Sequence, residues 1–243
     1  MDPTAVALQI EKETRIEDVW QVLVRAVRTV GITRIGYHHL PPPGAPDAGL
    51  LRVENSGFGE TLLQQYLGAR ARGIAALAAL LQNTVRPIYL DEMGSLDALN
   101  AHEAAHLAEY RSQGVANGLG IQVFGPNGRN GILAMDLGES VRLRPEVLEA
   151  LRWVCQVMHL RYCELLVPAL GKMPSLSSRE AEILAWVARG KSNVAIAEIL
   201  GISAHTVDAH LRRIYLKLGV YDRMSAALRG LGFGLIAADG PSQ

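Results

Sequence analysis

One predicted helix near the C-terminus carries side chains that could read DNA. Apolar residues recur at three- and four-residue spacing along residues 204–218, which predicts a helix that buries one face. The other face carries the candidate contacts His205, Thr206, Asp208, Ala209, Arg212, Arg213 and Lys217. Arginine can donate two hydrogen bonds to guanine or hold a phosphate, so we expect Thr206, Arg212 and Arg213 to make the main contacts. A polar turn just upstream could offer a charge and backbone amides to phosphate: Lys191, Ser192 and Asn193.

A second motif suggests a different chemistry. His102, Glu103 and His106 match the H-E-x-x-H pattern on a predicted helix, in which two histidines share a face and could bind zinc beside a glutamate base. A catalytic site of this type needs a third ligand, and the expected glycine and histidine just downstream are absent. A zinc metallopeptidase therefore stays an alternative from another functional class. We expect no enzyme activity, no metal and no cofactor.

The elements around the candidate DNA-reading helix predict a helix-turn-helix domain. Four short helices are predicted from about Ser175 onward, and the first begins with the capping box Ser177-Ser178-Arg179-Glu180. The other N-caps and the helix-ending glycines are Ser192, Ser203, Asp222, Gly190, Gly201 and Gly219. Because only about three residues separate the second helix from the third, we expect the third helix to lie in the major groove.

The rest of the chain alternates predicted helices and strands. Residues 118–124 and 132–137 form a hairpin around a Gly-Pro-Asn-Gly turn, and a long helix follows over residues 144–167, with Pro145 in its first turn. We predict an α/β/α sandwich with an antiparallel sheet over residues 1–167, a linker over 168–174 and the all-α helix-turn-helix domain over 175–243.

Composition and charge fit a DNA-binding protein without a membrane anchor. The net charge is zero, but residues 171–243 hold nine Lys+Arg against six Asp+Glu, which gives +3 and leaves −3 for the remainder. No apolar run approaches the ~20 residues of a membrane span, and no secretory signal is visible, which predicts a cytoplasmic protein. Cys155 and Cys163 lie eight residues apart on one predicted helix, about 12 Å, so we expect free thiols rather than a disulfide.

The C-terminal residues resemble the LuxR-type helix-turn-helix over about sixty positions without a gap. The matching segments are Leu176-Ser177-Ser178-Arg179-Glu180, Arg189-Gly190-Lys191-Ser192-Asn193, Ile196-Ala197, Ile202-Ser203, Thr206-Val207, His210-Leu211, Ile214-Tyr215 and Lys217-Leu218-Gly219-Val220. Asp208 departs from the family pattern, which commonly has lysine there. A carboxylate would repel a phosphate, so this side chain either makes no such contact or accepts from a cytosine amine or a neighbouring arginine.

The N-terminal layout resembles the autoinducer-binding domain of quorum-sensing LuxR-type receptors. Tyr66 matches a tyrosine of the family's acyl-homoserine lactone motif. Other positions of the motif have lost their polar residues: two tryptophans, an Asp-Pro pair and a serine or threonine become Leu62, Leu90, Ala75-Ala76 and Ala134. The resemblance implies a pocket that could also include Phe58, Tyr89 and Tyr110. Because an unpaired buried amide costs about 1–3 kcal/mol, we expect no ordinary lactone binding.

These observations predict a LuxR-type, sequence-specific DNA-binding transcription regulator that acts as a homodimer. Two interpretations of the pocket stay open: it holds a different, small apolar signal, or it is collapsed and the protein folds and dimerises without ligand. Within regulation, the alternative is an antiactivator that sequesters another LuxR-type regulator. The candidate dimer surface is the helix over residues 144–167, with Leu148, Leu151, Val154, Met158 and Leu165.

Overall fold

The computed structural model describes residues 1–71, 85–93, 104–105, 108, 111–115, 117–138 and 142–237. The chain divides into two compact units, the first made of Met1–Leu40 and Arg52–Val167 and the second of Pro41–Leu51 and Pro168–Gln243. The proline-rich segment Pro41–Leu51 therefore groups with the second unit, which the sequence did not indicate. In the described part of the chain, no helix is both long enough and apolar enough to cross a membrane.

The first unit is built on a five-stranded antiparallel sheet with the strand order β2-β1-β5-β4-β3. Its strands are β1 (Arg34–Leu40), β2 (Val53–Ser56), β3 (Ile88–Tyr89), β4 (Gly118–Val123) and β5 (Asn130–Asp136). Its helices are α1 (Pro3–Lys12), α2 (Ile16–Arg28), α3 (Glu60–Ala71), α4 (Leu90–Met93) and α5 (Pro145–Ala169). The fold confirms the predicted α/β/α sandwich with an antiparallel sheet.

Alternating strand residues divide the sheet into two faces. Tyr37 on β1 contacts His159 and Tyr162 of α5, so this face packs on the long helix. The neighbouring β1 residue His38 points to the other face and contacts Tyr66 of α3. Because successive side chains of a strand point to opposite sides, the two helical layers receive alternate residues of β1.

The α1 helix has no counterpart in the sequence predictions. Its local signals are nevertheless present, because the Asp2 carboxylate accepts hydrogen bonds from the backbone N–H groups of Thr4 and Ala5, at 3.0 and 3.3 Å. Pro3 occupies the first turn, where a missing N–H costs nothing. Arg161 of α5 then donates to the Glu13 carbonyl oxygen just after α1, at 2.7 and 3.0 Å, which ties this end of the chain to the long helix.

The second unit contains the four predicted helices, α6 (Ser178–Ala188), α7 (Asn193–Leu200), α8 (Ala204–Leu218) and α9 (Arg223–Gly232). Each begins at its expected N-cap, and Gly201 and Gly219 end α7 and α8 at φ values of 64° and 63°. Positive φ strains residues with a Cβ and favours glycine. One apolar cluster joins all four helices through residues such as Ile183, Ile196, Ile214 and Ala226.

Three predictions for the first unit need correction. The sequence predicts a short strand over residues 86–90, but the strand covers only Ile88–Tyr89, because Leu90 begins α4. The long helix runs on to Ala169 and includes Pro168, so the residues predicted as a linker begin inside the helix. The dimer-surface candidates Leu151, Val154 and Met158 are fully buried in the unit's own core, which excludes them from a surface.

Candidate nucleic-acid interface and ligand pocket

The outer face of α8 carries most of the predicted DNA contacts. His205, Arg212 and Arg213 are exposed, whereas Thr206 is partly buried. Thr206 donates its backbone N–H to the Ser203 hydroxyl at 3.0 Å, and the two hydroxyls lie 2.8 Å apart. The threonine therefore supports the start of the helix, while the two arginines extend into solvent and are available to a groove or a phosphate.

Asp208 forms an ion pair with Arg212 one turn along α8. The Arg212 Nη2 and Asp208 Oδ2 atoms are 2.8 Å apart, and both side chains are substantially exposed. This arrangement matches one of the two partners that the sequence suggested for the unusual carboxylate, a neighbouring arginine. The pair can hold the guanidinium in one orientation, although an exposed pair adds little stability of its own.

Lys217 sits at the other end of α8 and is held by the first helix of the domain. Its Nζ atom donates to Glu180 Oε2 at 2.6 Å, and the same carboxylate accepts from the Ser177 backbone N–H at 2.7 Å. Burial opposes ionisation of Glu180, but the bonds from Lys217 and Ser177 outweigh it and lower the pKa of this carboxyl from its ordinary value. A DNA contact by Lys217 would have to compete with this ion pair.

The turn before α7 is held by a residue that the sequence did not single out. Arg223, at the start of α9, donates to Asn193 Oδ1 at 3.0 Å and also to the Lys191 carbonyl oxygen. The Ser192 hydroxyl caps α7 by accepting from the Ala195 N–H at 3.2 Å. Arg223 thus positions the turn, while the exposed Lys191 side chain can reach a phosphate. No one-dimensional pattern links Arg223 to residues thirty positions away.

Four of the predicted ligand-pocket residues line one cavity in the described structure. Opposite residues of paired strands lie side by side, and Gly36 stands between Asn55 and Ala134. These small residues form one wall of a cavity of about 70 Å³, whose full lining is Gly36, Tyr37, His38, Val53, Glu54, Asn55, Phe58, Leu62, Leu63, Tyr66, Ile132 and Ala134. Of the predicted pocket residues, Phe58, Leu62, Tyr66 and Ala134 are therefore together.

The remaining candidates lie elsewhere. Leu90 is buried in the same apolar cluster as Leu62 without lining the cavity. Tyr89 lies under the guanidinium of Arg142, 3.9 Å from the tyrosine ring centre, and is absent from the cavity lining. Ala75 and Tyr110 fall outside the described residues, as do His102, Glu103 and His106 of the H-E-x-x-H motif.

Two polar features of the cavity wall were not expected from the sequence. The Tyr66 hydroxyl hydrogen-bonds to His38 Nδ1, so the one surviving motif residue already has a partner within the protein. Asn55 donates through Nδ2 to the Phe58 carbonyl oxygen at 3.0 Å, but its buried Oδ1 atom has no hydrogen-bond partner in the described structure. An unpaired buried acceptor is costly and favours a ligand that can donate.

Family models match both parts of the chain. The autoinducer-binding domain model matches residues 15–162, and the model of bacterial regulatory proteins of the luxR family matches residues 174–229. The chain belongs to the LuxR family. It is therefore a transcription regulator with a helix-turn-helix domain and a quorum-sensing type of sensor domain, and the expectation that it is not an enzyme agrees with this membership.

Individual relatives cover the chain to different extents. The quorum-sensing regulator RhlR of Pseudomonas aeruginosa is 33% identical over 226 residues, which is 90% of either chain. An HTH-type transcriptional regulator of Sinorhizobium fredii, y4qH, is 30% identical over 151 residues, and the match spans only 46% of that relative and 62% of this chain.

Solved structures share the fold at low sequence identity. Escherichia coli SdiA superposes with a TM-score of 0.70 at 19% identity, covering 96% of this chain and 97% of that one. SdiA in complex with octanoyl-rac-glycerol superposes with a TM-score of 0.67 at 20% identity, covering 96% of this chain and 94% of that one.

Proposed function

We propose that this LuxR-family protein binds a specific DNA operator as a homodimer and does not need an ordinary acyl-homoserine lactone to do so. The observation that carries the DNA-binding part is the α8 face, where Arg212 and Arg213 project from a helix that packs with the other three capped helices of the unit around one apolar cluster. A single such helix makes few base contacts, and two half-sites supply the missing affinity and specificity.

A homodimer is supported by the exposed side of α5. Trp153 and Leu160 lie seven residues apart on this helix and therefore on one face, and they are 45% and 47% exposed. Large aromatic and aliphatic groups at the centre of an exposed face are typical of protein interfaces. They replace the buried Leu151, Val154 and Met158 as the dimer contacts we propose.

The ligand part of the proposal rests on the size and lining of the cavity. A volume of about 70 Å³ is roughly half that of an engineered apolar cavity of ~150 Å³ that takes up benzene. An acyl-homoserine lactone is much larger than benzene, and the position of the motif tryptophan holds Leu62. The cavity thus favours folding without ligand, or with a small, neutral, mostly apolar molecule whose hydroxyl or N–H group donates to Asn55.

The DNA-binding part is tested by selecting operators from a random duplex library with purified full-length protein prepared without any lactone. We expect a two-fold symmetric sequence to be enriched, and we expect Arg213→Ala to weaken binding to that duplex and to lower its salt dependence. Enrichment of no sequence, together with full-affinity binding to another LuxR-type regulator, would instead support the antiactivator alternative.

The ligand part is tested by calorimetry on the same preparation. N-octanoyl-homoserine lactone is the main probe, and octanoyl-rac-glycerol serves as a neutral comparator that carries hydroxyl donors and binds SdiA. We expect no saturable, high-affinity binding of the lactone. Tight stoichiometric binding of the lactone would overturn the ligand part while leaving the DNA-binding part intact, because the two measurements are separate.

A further inference from the structure

A group of metal-ligating side chains lies on the sheet face opposite the pocket. His39 belongs to β1, and His159 and Cys163 lie one turn apart on α5; their exposed fractions are 1%, 0% and 0%. One ligand atom from each, a ring nitrogen or the sulfur, lies within 4.8 Å of the other two. Three candidate ligands from a strand and a helix therefore meet in the core. We call these three residues the His-His-Cys cluster.

The spacing within the cluster suits a shared ion. Cys163 Sγ and His159 Nε2 are 3.6 Å apart. Bond lengths of ~2.3 Å to sulfur and ~2.0 Å to nitrogen place these donors about 3.6 Å apart around a tetrahedral zinc ion. A thiol–imidazole hydrogen bond can have the same length, and the amount of bound metal distinguishes the two arrangements.

Tyr37 is placed to orient both imidazole rings. Its hydroxyl oxygen lies 2.8 Å from His159 Nδ1 and 3.3 Å from His39 Nδ1. A metal-bound histidine usually donates its other ring N–H to an oxygen acceptor, which fixes the tautomer and the ring orientation. The Tyr37 hydroxyl oxygen can therefore accept an Nδ1–H from either ring and fix the orientation of both imidazoles.

Two glycines leave the backbone beside the cluster without side-chain atoms. A Cβ on Gly125 would lie 2.7 Å from His159 Nε2 and 3.2 Å from Cys163 Sγ, and a Cβ on Gly131 would lie 2.9 Å from His159 Nδ1. The carbonyl oxygen of Arg129 is 2.9 Å from His159 Nε2. When no ion is bound, this oxygen can accept a hydrogen bond from the Nε2–H group. When an ion replaces that proton, the oxygen is positioned as a further ligand to the ion.

We propose that His39, His159 and Cys163 bind a thiophilic metal ion, Zn²⁺ or Cu⁺, which joins α5 to β1. On binding, the Cys163 thiol releases its proton to water and the thiolate sulfur forms the bond to the ion. Thiolate and imidazole are the donors that both ions prefer. One thiolate neutralises Cu⁺ but leaves Zn²⁺ with a net positive charge, and burying charge is costly, so we expect Cu⁺ to be held more tightly.

The experiment measures metal in full-length protein that was refolded from denaturant in the presence of either ion, because the cluster is buried in the folded chain. Excess metal is removed by gel filtration, and bound Zn²⁺ and Cu⁺ are quantified by mass spectrometry under anaerobic conditions. Co²⁺ replaces Zn²⁺ in a parallel sample, where a thiolate-to-cobalt absorption band reports a sulfur ligand.

Cys163→Ser and His159→Gln test the ligands. Cys155→Ser is the matched control, because Cys155 is equally buried on α5 but lies outside the cluster.

We expect a stoichiometric ion in the wild type and in Cys155→Ser, accompanied by the cobalt–thiolate band if Zn²⁺ is retained, and the loss of both in Cys163→Ser and His159→Gln. Retention of Cu⁺ alone, or of Zn²⁺ alone, identifies the ion and supports the site. Absence of metal from refolded wild-type protein overturns the proposal without reference to any variant. An unchanged metal content in a folded Cys163→Ser protein also overturns it.

Discussion

At the scale of single residues, the Asp208–Arg212 ion pair distinguishes α8 from the LuxR family pattern, which commonly has lysine at position 208. The carboxylate adds a negative charge to a surface that would face phosphates, yet it lies 2.8 Å from the guanidinium. Repulsion of DNA lowers affinity for every sequence, whereas orientation of an arginine improves discrimination at one base pair. These two effects oppose each other and can be measured separately.

We therefore expect Asp208→Asn to bind random DNA more tightly and to discriminate less well against operators mutated at one base pair. A bidentate arginine–guanine contact contributes about 1–3 kcal/mol of discrimination, and the variant should lose part of this amount. Affinities for the selected operator and for its point variants are measured by fluorescence anisotropy at several salt concentrations. Arg213→Ala serves as a control that should weaken binding to all duplexes alike. Tighter binding of Asp208→Asn with unchanged discrimination would leave Asp208 as a simple repulsive charge.

Gly125 allows a second test at the residue scale. A Cβ at this position would lie 2.3 Å from the Arg129 carbonyl oxygen, which is backbone and cannot move aside as a flexible side chain can. We expect Gly125→Ala to lower the free energy of unfolding by about 1–3 kcal/mol, the usual range for overpacking. Gly59→Ala is the comparison, because no atom of the described residues lies within 4 Å of the place that its new methyl group would take. Urea unfolding should show a clear loss for the first variant and little change for the second.

At the scale of elements, Glu180 connects the start of α6 to the end of α8. Its carboxylate completes the capping box and binds Lys217, and its pKa lies below the ordinary value. A carboxyl whose pKa is lower in the folded state adds stability above its unfolded pKa, and this stability is lost as the pH falls through the folded value. The C-terminal unit should therefore lose stability as the pH drops below the ordinary glutamate pKa of about 4.3.

Replacing Glu180 by glutamine removes the ion pair with Lys217 but keeps the helix cap, because glutamine can still complete a capping box. We expect Glu180→Gln to reduce stability at pH 7 and to flatten its fall at acid pH, since the titrating group is gone. Chemical unfolding of the variant and the wild type, measured by circular dichroism from about pH 3 to pH 7, checks this expectation. Glu182→Gln removes a nearby carboxylate of the same helix, paired with Arg179 at 2.8 Å, as a matched control. Parallel pH curves for Glu180→Gln and wild type would contradict the linkage.

The sequence predicts the elements that depend on local signals better than those that depend on strand pairing. Capping serines and terminal glycines predict the four C-terminal helices nearly residue by residue, because these signals act within a few positions along the chain. The pocket is harder to predict, since its wall is made by strand register: Gly36, Asn55 and Ala134 become neighbours only through pairing. The contact of His38 with Tyr66 likewise joins residues twenty-eight positions apart, a separation that no periodicity encodes.

The long helix α5 is predicted nearly to its ends, but the sequence does not assign its faces correctly. Leu151, Val154 and Met158 are apolar enough for a dimer surface, whereas in the structure they are buried within their own unit. An amphipathic pattern identifies which residues are apolar and does not say which of two partners, the sheet or a second chain, covers each of them. Trp153 and Leu160 are large apolar residues of α5 that the fold leaves exposed.

A charge on this exposed face should therefore separate the protomers. We expect Leu160→Glu to shift the full-length protein from dimer to monomer and to weaken operator binding strongly, because two half-sites would no longer be held together. Light scattering after gel filtration gives the mass, and unfolding curves show whether the fold is kept. Leu8→Glu is the control, since Leu8 is 52% exposed on a different helix, α1. A dimeric Leu160→Glu protein with normal operator binding would place the interface elsewhere.

At the scale of the whole molecule, stability and DNA binding should be independent of lactone. A ligand that binds only the folded state raises stability by RT ln(1 + [L]/Kd), which is about 2.7 kcal/mol at a hundredfold excess over Kd. The cavity of about 70 Å³ offers no comparable gain to a lactone, so its addition should leave the melting temperature and the operator affinity unchanged. Expression without lactone should give soluble dimer that binds the operator. Insoluble protein that is rescued by lactone during expression would show instead that the sensor domain needs this ligand to fold.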